Sequence, residues 1–285
     1  MEYVRQLNEA QRNYLVPKAC NAALRAGEAI LGIYHKKEAY GVDLKSDRTP
    51  ITEADRLAHA VIRDYLGQTH IPLLSEEGRE MRFDERRDWD MFWLVDPLDG
   101  TREFIKGNNE FTVNIALVVD GRPVVGVVYV PWHNKIYFCE KGRGSFVKTD
   151  VAPDARAEMT YDEIFAGAVR LPLTRPSGPV RVAVSRSHRN DDTMAEVARL
   201  RERFPDAEMV EQGSSYKFCL LAEGAIDYYP RTSNTYEWDT AAGEAILSET
   251  GGTTKSLPGS GEFSYNKESL LNPWFVCRSG AFQNQ

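Results

Sequence analysis

Sulfur and histidine are scarce: the 285 residues include only four cysteines, six methionines and five histidines. Cys20, Cys139, Cys219 and Cys277 stand far apart in apolar or mixed surroundings, and no CxxC pair occurs. They read as buried free thiols, which argues against a soft-metal site. No run reaches the roughly 18 consecutive apolar residues that would suggest a membrane span. The opening stretch MEYVRQLNEAQRNYLV lacks the basic-then-apolar order of a secretion signal. A cytoplasmic protein without an integral membrane segment is expected, with peripheral membrane association left open. Basic stripes are missing as well. Lys and Arg number 35 against 42 Asp and Glu, a net charge of −7, so nucleic acid is not an expected partner. GxxxxGK[ST] is absent, which excludes the P-loop nucleoside-triphosphate enzymes.

What is present is ordinary in bulk and unusual in detail. Apolar residues make up 42% and charged residues 27%, the balance of a globular chain long enough for one large domain or two packed halves. Ala19, Ala23, Ala26, Ile30, Ile33 and Tyr34 fall at helical spacing and predict a helix over 18–36. Ala58, Val61, Ile62 and Tyr65 predict a second over 52–66, with Thr52 as its cap. Runs of β-branched and aromatic residues then predict strands over 92–95, 111–119, 124–130 and 135–140. Asp120-Gly121 marks a hairpin and 141–144 the next turn. The proline-bearing stretch 151–179 is read as the boundary between halves 1–150 and 151–285. Beyond it come a strand over 180–185, helices over 192–204 and 215–223, a short strand before Tyr229, and a helix from near Asp239 to Gly251-Gly252. That alternation predicts an α/β half packed on an α+β half.

The unusual detail is WLVDPLDGTREF, residues 93–104, where a buried-looking strand runs into two aspartates. Pro97 fixes its own φ and has no N–H, so the chain is expected to turn after Asp96. Such a turn gathers Asp96, Asp99 and the Leu98 carbonyl on one side. Hard oxygen donors without nitrogen or sulfur select magnesium or manganese over zinc. Gly100 lets backbone N–H groups approach an oxyanion, and the Thr101 hydroxyl can orient a water. Asp55, Glu76 and Asp239 sit next to strand ends or helix starts, where a cap or a solvated turn would use the same residue.

DPLDGT, the upstream Glu76-Glu77, the downstream Trp238-Asp239 and the later Gly251-Gly252 together resemble the lithium-sensitive, magnesium-dependent phosphomonoesterase superfamily that includes the inositol monophosphatases. Within it, TREFIKGNNEFTVNIALV, VSRSH, GSSYKFCLLAEG, YPR, EWDTAAG and LNPWF are similar to the bacterial 3'(2'),5'-bisphosphate nucleotidase branch. The resemblance implies the layered αβαβα sandwich of the inositol monophosphatase and fructose-1,6-bisphosphatase group. It implies two or three magnesium ions, with manganese as a substitute. Glu76, Asp96 and the Leu98 carbonyl would hold one, and Asp96, Asp99 and Asp239 a second. A third would lie near Glu76 and Asp55. Asp55 and Thr101 would orient and deprotonate the attacking water, while Glu77 is read as supporting or solvated. The first half would then carry most of the metal ligands, and the second half the substrate contacts together with Asp239.

Contacts to a phosphorylated nucleotide would come from His188, Ser214, Lys217 and Arg231, beside Leu98, Asp99, Gly100, Thr101 and Asp239. His35, His59, His70 and His133 have no carboxylate or thiol pattern around them and receive no role. An acid a few residues before the WD pair is usual in inositol monophosphatases, whereas YYPRTSNTYEWD offers Arg231 there and puts Glu237 against Trp238. That favours hydrolysis of 3'-phosphoadenosine 5'-phosphate to AMP and phosphate by a monomer or homodimer. An inositol or sugar-phosphate phosphatase, and a non-catalytic metal-binding regulatory protein, remain as alternatives.

Overall fold

The fold starts at Asn8. Its side chain accepts the Gln11 backbone N–H at 2.9 Å, and Gln11 Oε1 accepts the Asn8 N–H at 3.0 Å. This reciprocal cap begins α1 (Glu9–Tyr34) well ahead of the expected residue 18, and Pro17 lies inside the helix. The computed structural model describes residues 7–36, 41–44, 50–151, 158–174, 177–258, 261 and 263–282. After a short ribbon of β1 (Asp43–Leu44) and β2 (Pro50–Ile51), Thr52 caps α2 (Glu53–Leu66), which packs along α1, and a single-turn α3 (Phe83–Arg86) follows later in the chain.

Both helices cover one face of a seven-stranded sheet. Its strands, in spatial as well as chain order, are β3 (Leu73–Ser75), β4 (Met91–Asp99), β5 (Thr112–Val119), β6 (Arg122–Val130), β7 (Lys135–Glu140), β8 (Gly144–Lys148) and β9 (Val169–Arg170). Only β3 and β4 run parallel. Trp93, Val95, Ile115, Leu117, Val125 and Val127 point into the core under α1 and α2. The intervening Phe92, Leu94, Ala116, Val118 and Val128 point into a second core on the opposite face. Side chains alternate across a strand, so burial on both faces explains why these strands read as unbroken apolar runs.

The second core is roofed by α7 (Tyr216–Glu223) and α8 (Glu237–Ser248). These helices are sandwiched against a five-stranded sheet of β10 (Arg181–Ser185), β11 (Glu208–Gln212), β12 (Tyr228–Arg231), β13 (Thr253–Ser256) and β14 (Phe275–Arg278), ordered β11-β10-β12-β14-β13. Helix α6 (Asp191–Arg203) closes its outer face. The result is the expected αβαβα sandwich. All four cysteines are buried and free. No helix among the described residues is long and apolar enough to cross a membrane.

Several expectations change in detail. β4 does not stop at Val95 but continues to Asp99, and β8, β13 and β14 are strands that the periodicity did not announce. β12 includes Pro230 because its pairing with β10 ends at Tyr228, leaving the proline where the strand has only β14 beside it. Residues 152–157 and 175–176 of the expected boundary lie outside the described residues. Within its described part, α5 (Tyr161–Phe165) packs on α1, and β9 extends the first sheet.

One close approach fixes α8 on the first sheet. A Cβ on Gly126 of β6 would stand 2.4 Å from the Ala242 carbonyl oxygen and 2.9 Å from Ala245 Cβ. Gly126→Ala is therefore expected to lower stability by about 1–3 kcal/mol, read as a lower urea midpoint with an unchanged slope.

Candidate active site

The end of β4 is a bulge and not the expected turn. Asp96 pairs with Asn114 and Asp99 with Thr112, so three steps on β4 face two on β5. Pro97 and Leu98 occupy the irregularity, where a missing N–H breaks no regular ladder. Asp96 Oδ1 accepts the Leu98 N–H at 3.0 Å, which holds the bulge closed. Gly100 follows at φ 93°, a left-handed position where a Cβ would also stand 2.8 Å from the Glu110 carbonyl oxygen. That kink starts α4 (Thr101–Lys106) in a new direction.

Around the bulge, oxygens converge from three elements. Glu76 lies in the turn after β3, Asp96 on β4 and Asp239 in the first turn of α8, with one carboxylate oxygen of each within 4.8 Å of the other two. Asp239 also accepts the Tyr236 backbone N–H at 2.9 Å, so it serves as a helix-start acid and a member of the cluster at once. Burial first, then the charges of Glu76, Asp99 and Asp239, hold Asp96 well above the usual carboxylate range. Asp239 is likewise held well above that range by burial and then by Asp99 and Glu76. Carboxylates packed this way repel one another when ionised, and hard oxygen donors of this kind fit a hard divalent cation. Asp99 is not one of the three. Its Oδ2 accepts the Ser215 N–H, and burial raises its pKa against the opposing pull of Lys217 and Arg231.

Beside the cluster lies a hydroxyl–carboxylate pair. Asp55 Oδ2 accepts the Thr52 N–H at 2.7 Å and the Thr52 hydroxyl at 2.5 Å. Its Oδ1 accepts the Thr101 hydroxyl at 3.1 Å. Asp55 is 2% exposed, and burial raises its pKa despite the two bonds from Thr52. Thr101 lies within 3.4 Å of the Leu98 carbonyl as well, so this one hydroxyl touches both the pair and the bulge.

Of the positions expected to meet the substrate, Lys217 and Arg231 lie within electrostatic reach of Asp99. Lys217 is buried with its Nζ donating to the carbonyls of Gln212 at 3.1 Å and Ser214 at 2.6 Å. Burial and then Arg231 lower its pKa to about 8. Arg231 is also buried; Nη2 donates to the Asn234 carbonyl at 3.1 Å, while Nε has no partner. Ser214 takes a left-handed φ of 52°, and its hydroxyl oxygen accepts the Tyr216 N–H at 3.3 Å. His188 is exposed at the surface, yet partial desolvation and then the charges of Arg231, Arg102, Lys217 and Lys106 lower its pKa to about 4.

Some residues that shape the site carried no motif. Ser215 donates to Asn114 Oδ1 at 2.6 Å and meets the Thr112 hydroxyl at 2.8 Å, tying α7 to the strand that faces the bulge. Asn114 Nδ2 is buried without a partner. Glu237 is fully buried and accepts from the Lys267 Nζ at 2.6 Å and the Asn266 N–H at 2.6 Å. It anchors the start of α8. A polar residue on an otherwise apolar strand was the only sequence signal for Asn114, and Lys267 is too distant in the chain to announce its pairing.

Comparison with known proteins agrees with this geometry. The profile of the inositol monophosphatase family matches residues 12–277. The chain is 38% identical over 263 residues to the 3'(2'),5'-bisphosphate nucleotidase CysQ of Shigella flexneri, covering 92% of this chain and 98% of that protein. It is 37% identical over 263 residues to the protein of the same name from Escherichia coli K12, with coverage of 92% and 98%. The crystal structure of CysQ from Bacteroides thetaiotaomicron superposes with a TM-score of 0.86 at 42% identity, covering 94% of this chain and 98% of that one. An inositol monophosphatase from Anabaena shares the fold at 22% identity and a TM-score of 0.66, over 95% of this chain and 92% of that one. From the bulged DPLDGT strand to the acid of α8, the chain belongs to the inositol monophosphatase family.

Proposed function

We propose that this phosphatase hydrolyses 3'(2'),5'-bisphosphonucleotides, converting 3'-phosphoadenosine 5'-phosphate to AMP and phosphate with magnesium as cofactor. The observation that carries the reading is the convergence of Glu76, Asp96 and Asp239 within 4.8 Å, with Asp55 and Thr101 hydrogen-bonded beside them. Glu76, Asp96 and the Leu98 carbonyl would hold one ion, Asp96, Asp99 and Asp239 a second, and Glu76 and Asp55 would be the acids nearest a third. Bound divalent cations supply charge neutralisation at the phosphate and a lowered pKa for water.

The chain's own residues supply alignment. Thr101 donates its proton to Asp55 Oδ1 at 3.1 Å, which leaves its oxygen lone pairs directed at a water. Asp55 then takes the proton that reaches it through Thr101. Gly100 keeps the backbone clear for a phosphate oxygen. The halves 1–150 and 151–285 divide this work: the first holds most cation ligands and the water, and the second offers Asp239, His188, Ser214, Lys217 and Arg231. The choice of a bisphosphorylated nucleotide is supported by the nucleotidases at 37–38% identity and by the Lys217 and Arg231 charges that act on Asp99.

The test is phosphate release from a panel of 3'-phosphoadenosine 5'-phosphate, its sulfated precursor, adenosine 3'-monophosphate and inositol 1-phosphate, with magnesium and with added lithium. The adenosine bisphosphate should give the highest kcat/KM, and lithium should inhibit. A kcat/KM for inositol 1-phosphate far above that for the adenosine bisphosphate would overturn the substrate assignment.

A further inference from the structure

A bisphosphate brings two anions into the site. The phosphate being removed is matched by the acid cluster and its cations, so the other needs cationic side chains still free to bind it. Few are. Arg186 is committed to Glu110, with Nε at 2.9 Å and Nη2 at 2.8 Å, and to Glu211 at 3.1 Å. Arg189 pairs with Glu211 at 2.7 Å. Lys217 has spent two of its three N–H donors on carbonyls beneath the loop.

Among the described residues near this loop two exposed cations remain, both on α4. Lys106 Nζ touches only a neutral partner, the Ser187 hydroxyl, at 3.1 Å. Arg102 makes no ion pair or hydrogen bond among the described residues. Four residues apart, they lie on one helix face, and the Lys106–Ser187 contact sets that face against the loop after β10. The short bond from Ser187 to the buried Glu103 fixes the same contact from below. On the far side of the loop, Asn190 Nδ2 donates to the Thr232 carbonyl at 3.0 Å, next to Arg231 with its unpartnered buried Nε. All of these cations act on His188 between them. His188 therefore sits in a loop held to α4 by Lys106–Ser187 and to the end of β12 by Asn190–Thr232, each side bringing a cation, and Arg102 immediately follows Thr101 of the reaction site.

We propose that Arg102 and Lys106 bind the phosphate left on the nucleotide and are the residues that distinguish a bisphosphate from a monophosphate, with Arg231 closing the far side. This assignment rests on the functional reading above. Arg102 supplies a planar, bidentate fork suited to a phosphate, and Lys106 a point charge beside it.

The experiment compares KM and kcat for 3'-phosphoadenosine 5'-phosphate and adenosine 3'-monophosphate in wild type, Arg102→Gln, Lys106→Gln, the double variant and the charge-retaining pair Arg102→Lys and Lys106→Arg. Loss of charge-assisted contacts predicts that the double variant raises KM for the bisphosphate about 10–100-fold more than KM for the monophosphate. The kcat for the bisphosphate should change far less than its KM, and the charge-retaining variants should recover most of the loss. Equal effects of the double variant on both substrates, or no effect on either, would overturn the assignment while leaving the functional reading standing. A wild-type enzyme that hydrolyses both substrates with equal kcat/KM would overturn both.

Discussion

Asp96→Asn is expected to reduce phosphatase turnover by about 10³-fold or more while raising the thermal midpoint of the metal-free protein. The two effects come from one cause. Asp96 is 1% exposed, and its carboxylate faces Glu76, Asp99 and Asp239. An asparagine keeps the Oδ1 that accepts the Leu98 N–H, so the bulge survives. It removes one charge from a repelling set, and the metal-free fold gains by about 2–4 °C for each kcal/mol relieved. It also removes a proposed ligand, so added magnesium, which is expected to raise the wild-type midpoint, should no longer raise that of the variant.

The pH dependence of that metal-free stability has a fixed sign. Asp96, Asp99 and Asp239 are all raised above their ordinary 3.8. The folded state thus retains protons that the unfolded chain releases, and stability falls as pH rises above about 4. Asp96→Asn should flatten this fall, and saturating magnesium should abolish it. Thermal scans from pH 4 to pH 8, with chelator and with magnesium, measure both. A metal-free midpoint that is lower in Asp96→Asn than in wild type at neutral pH would refute the repulsion.

Asp55→Asn is expected to lower kcat by about 10²–10⁴-fold with KM for the substrate within about threefold. Asp55 Oδ2 is already occupied by the N–H and hydroxyl of Thr52, at 2.7 and 2.5 Å. An asparagine must point its oxygen there, which turns its NH₂ toward Thr101. The hydroxyl of Thr101 then meets a donor in place of an acceptor and has to rotate its own proton outward, toward the water it should orient. Thr52 still has its acceptor, so the cap on α2 and the thermal midpoint should change little. Steady-state kinetics beside a thermal scan separate these outcomes. A kcat within tenfold of wild type would remove Asp55 from the proton path.

Much of this was legible in the sequence because it is local. The DPLDGT segment announces its own chemistry, since proline, glycine and two acids in six residues suit neither a plain strand nor a plain helix. Thr52 and Asp55 signal a helix start, and the same Asp55 accepts from Thr101, the residue that follows the DPLDG turn signal. The five layers follow from strands that are apolar on both faces. What the sequence hid depends on contacts between distant segments. Asp96 to Asp99 reads as a turn because Pro97 looks like a strand breaker, and only the register against Asn114 and Thr112 makes it a bulge. Lys217 reads as an available ammonium, yet folding turns it onto the carbonyls of Gln212 and Ser214. Arg102 and Lys106 look like ordinary surface charges until Ser187 is brought against their helix.

The central claim is that Glu76, Asp96 and Asp239 form the seat of the divalent cations on which hydrolysis depends. Crystals grown with manganese and measured at a wavelength where manganese scatters anomalously test it most directly. The account predicts anomalous density within ligand distance of the carboxylates of Glu76, Asp96 and Asp239. Anomalous density confined to other acids, with none at this cluster under manganese concentrations that support turnover, would contradict it.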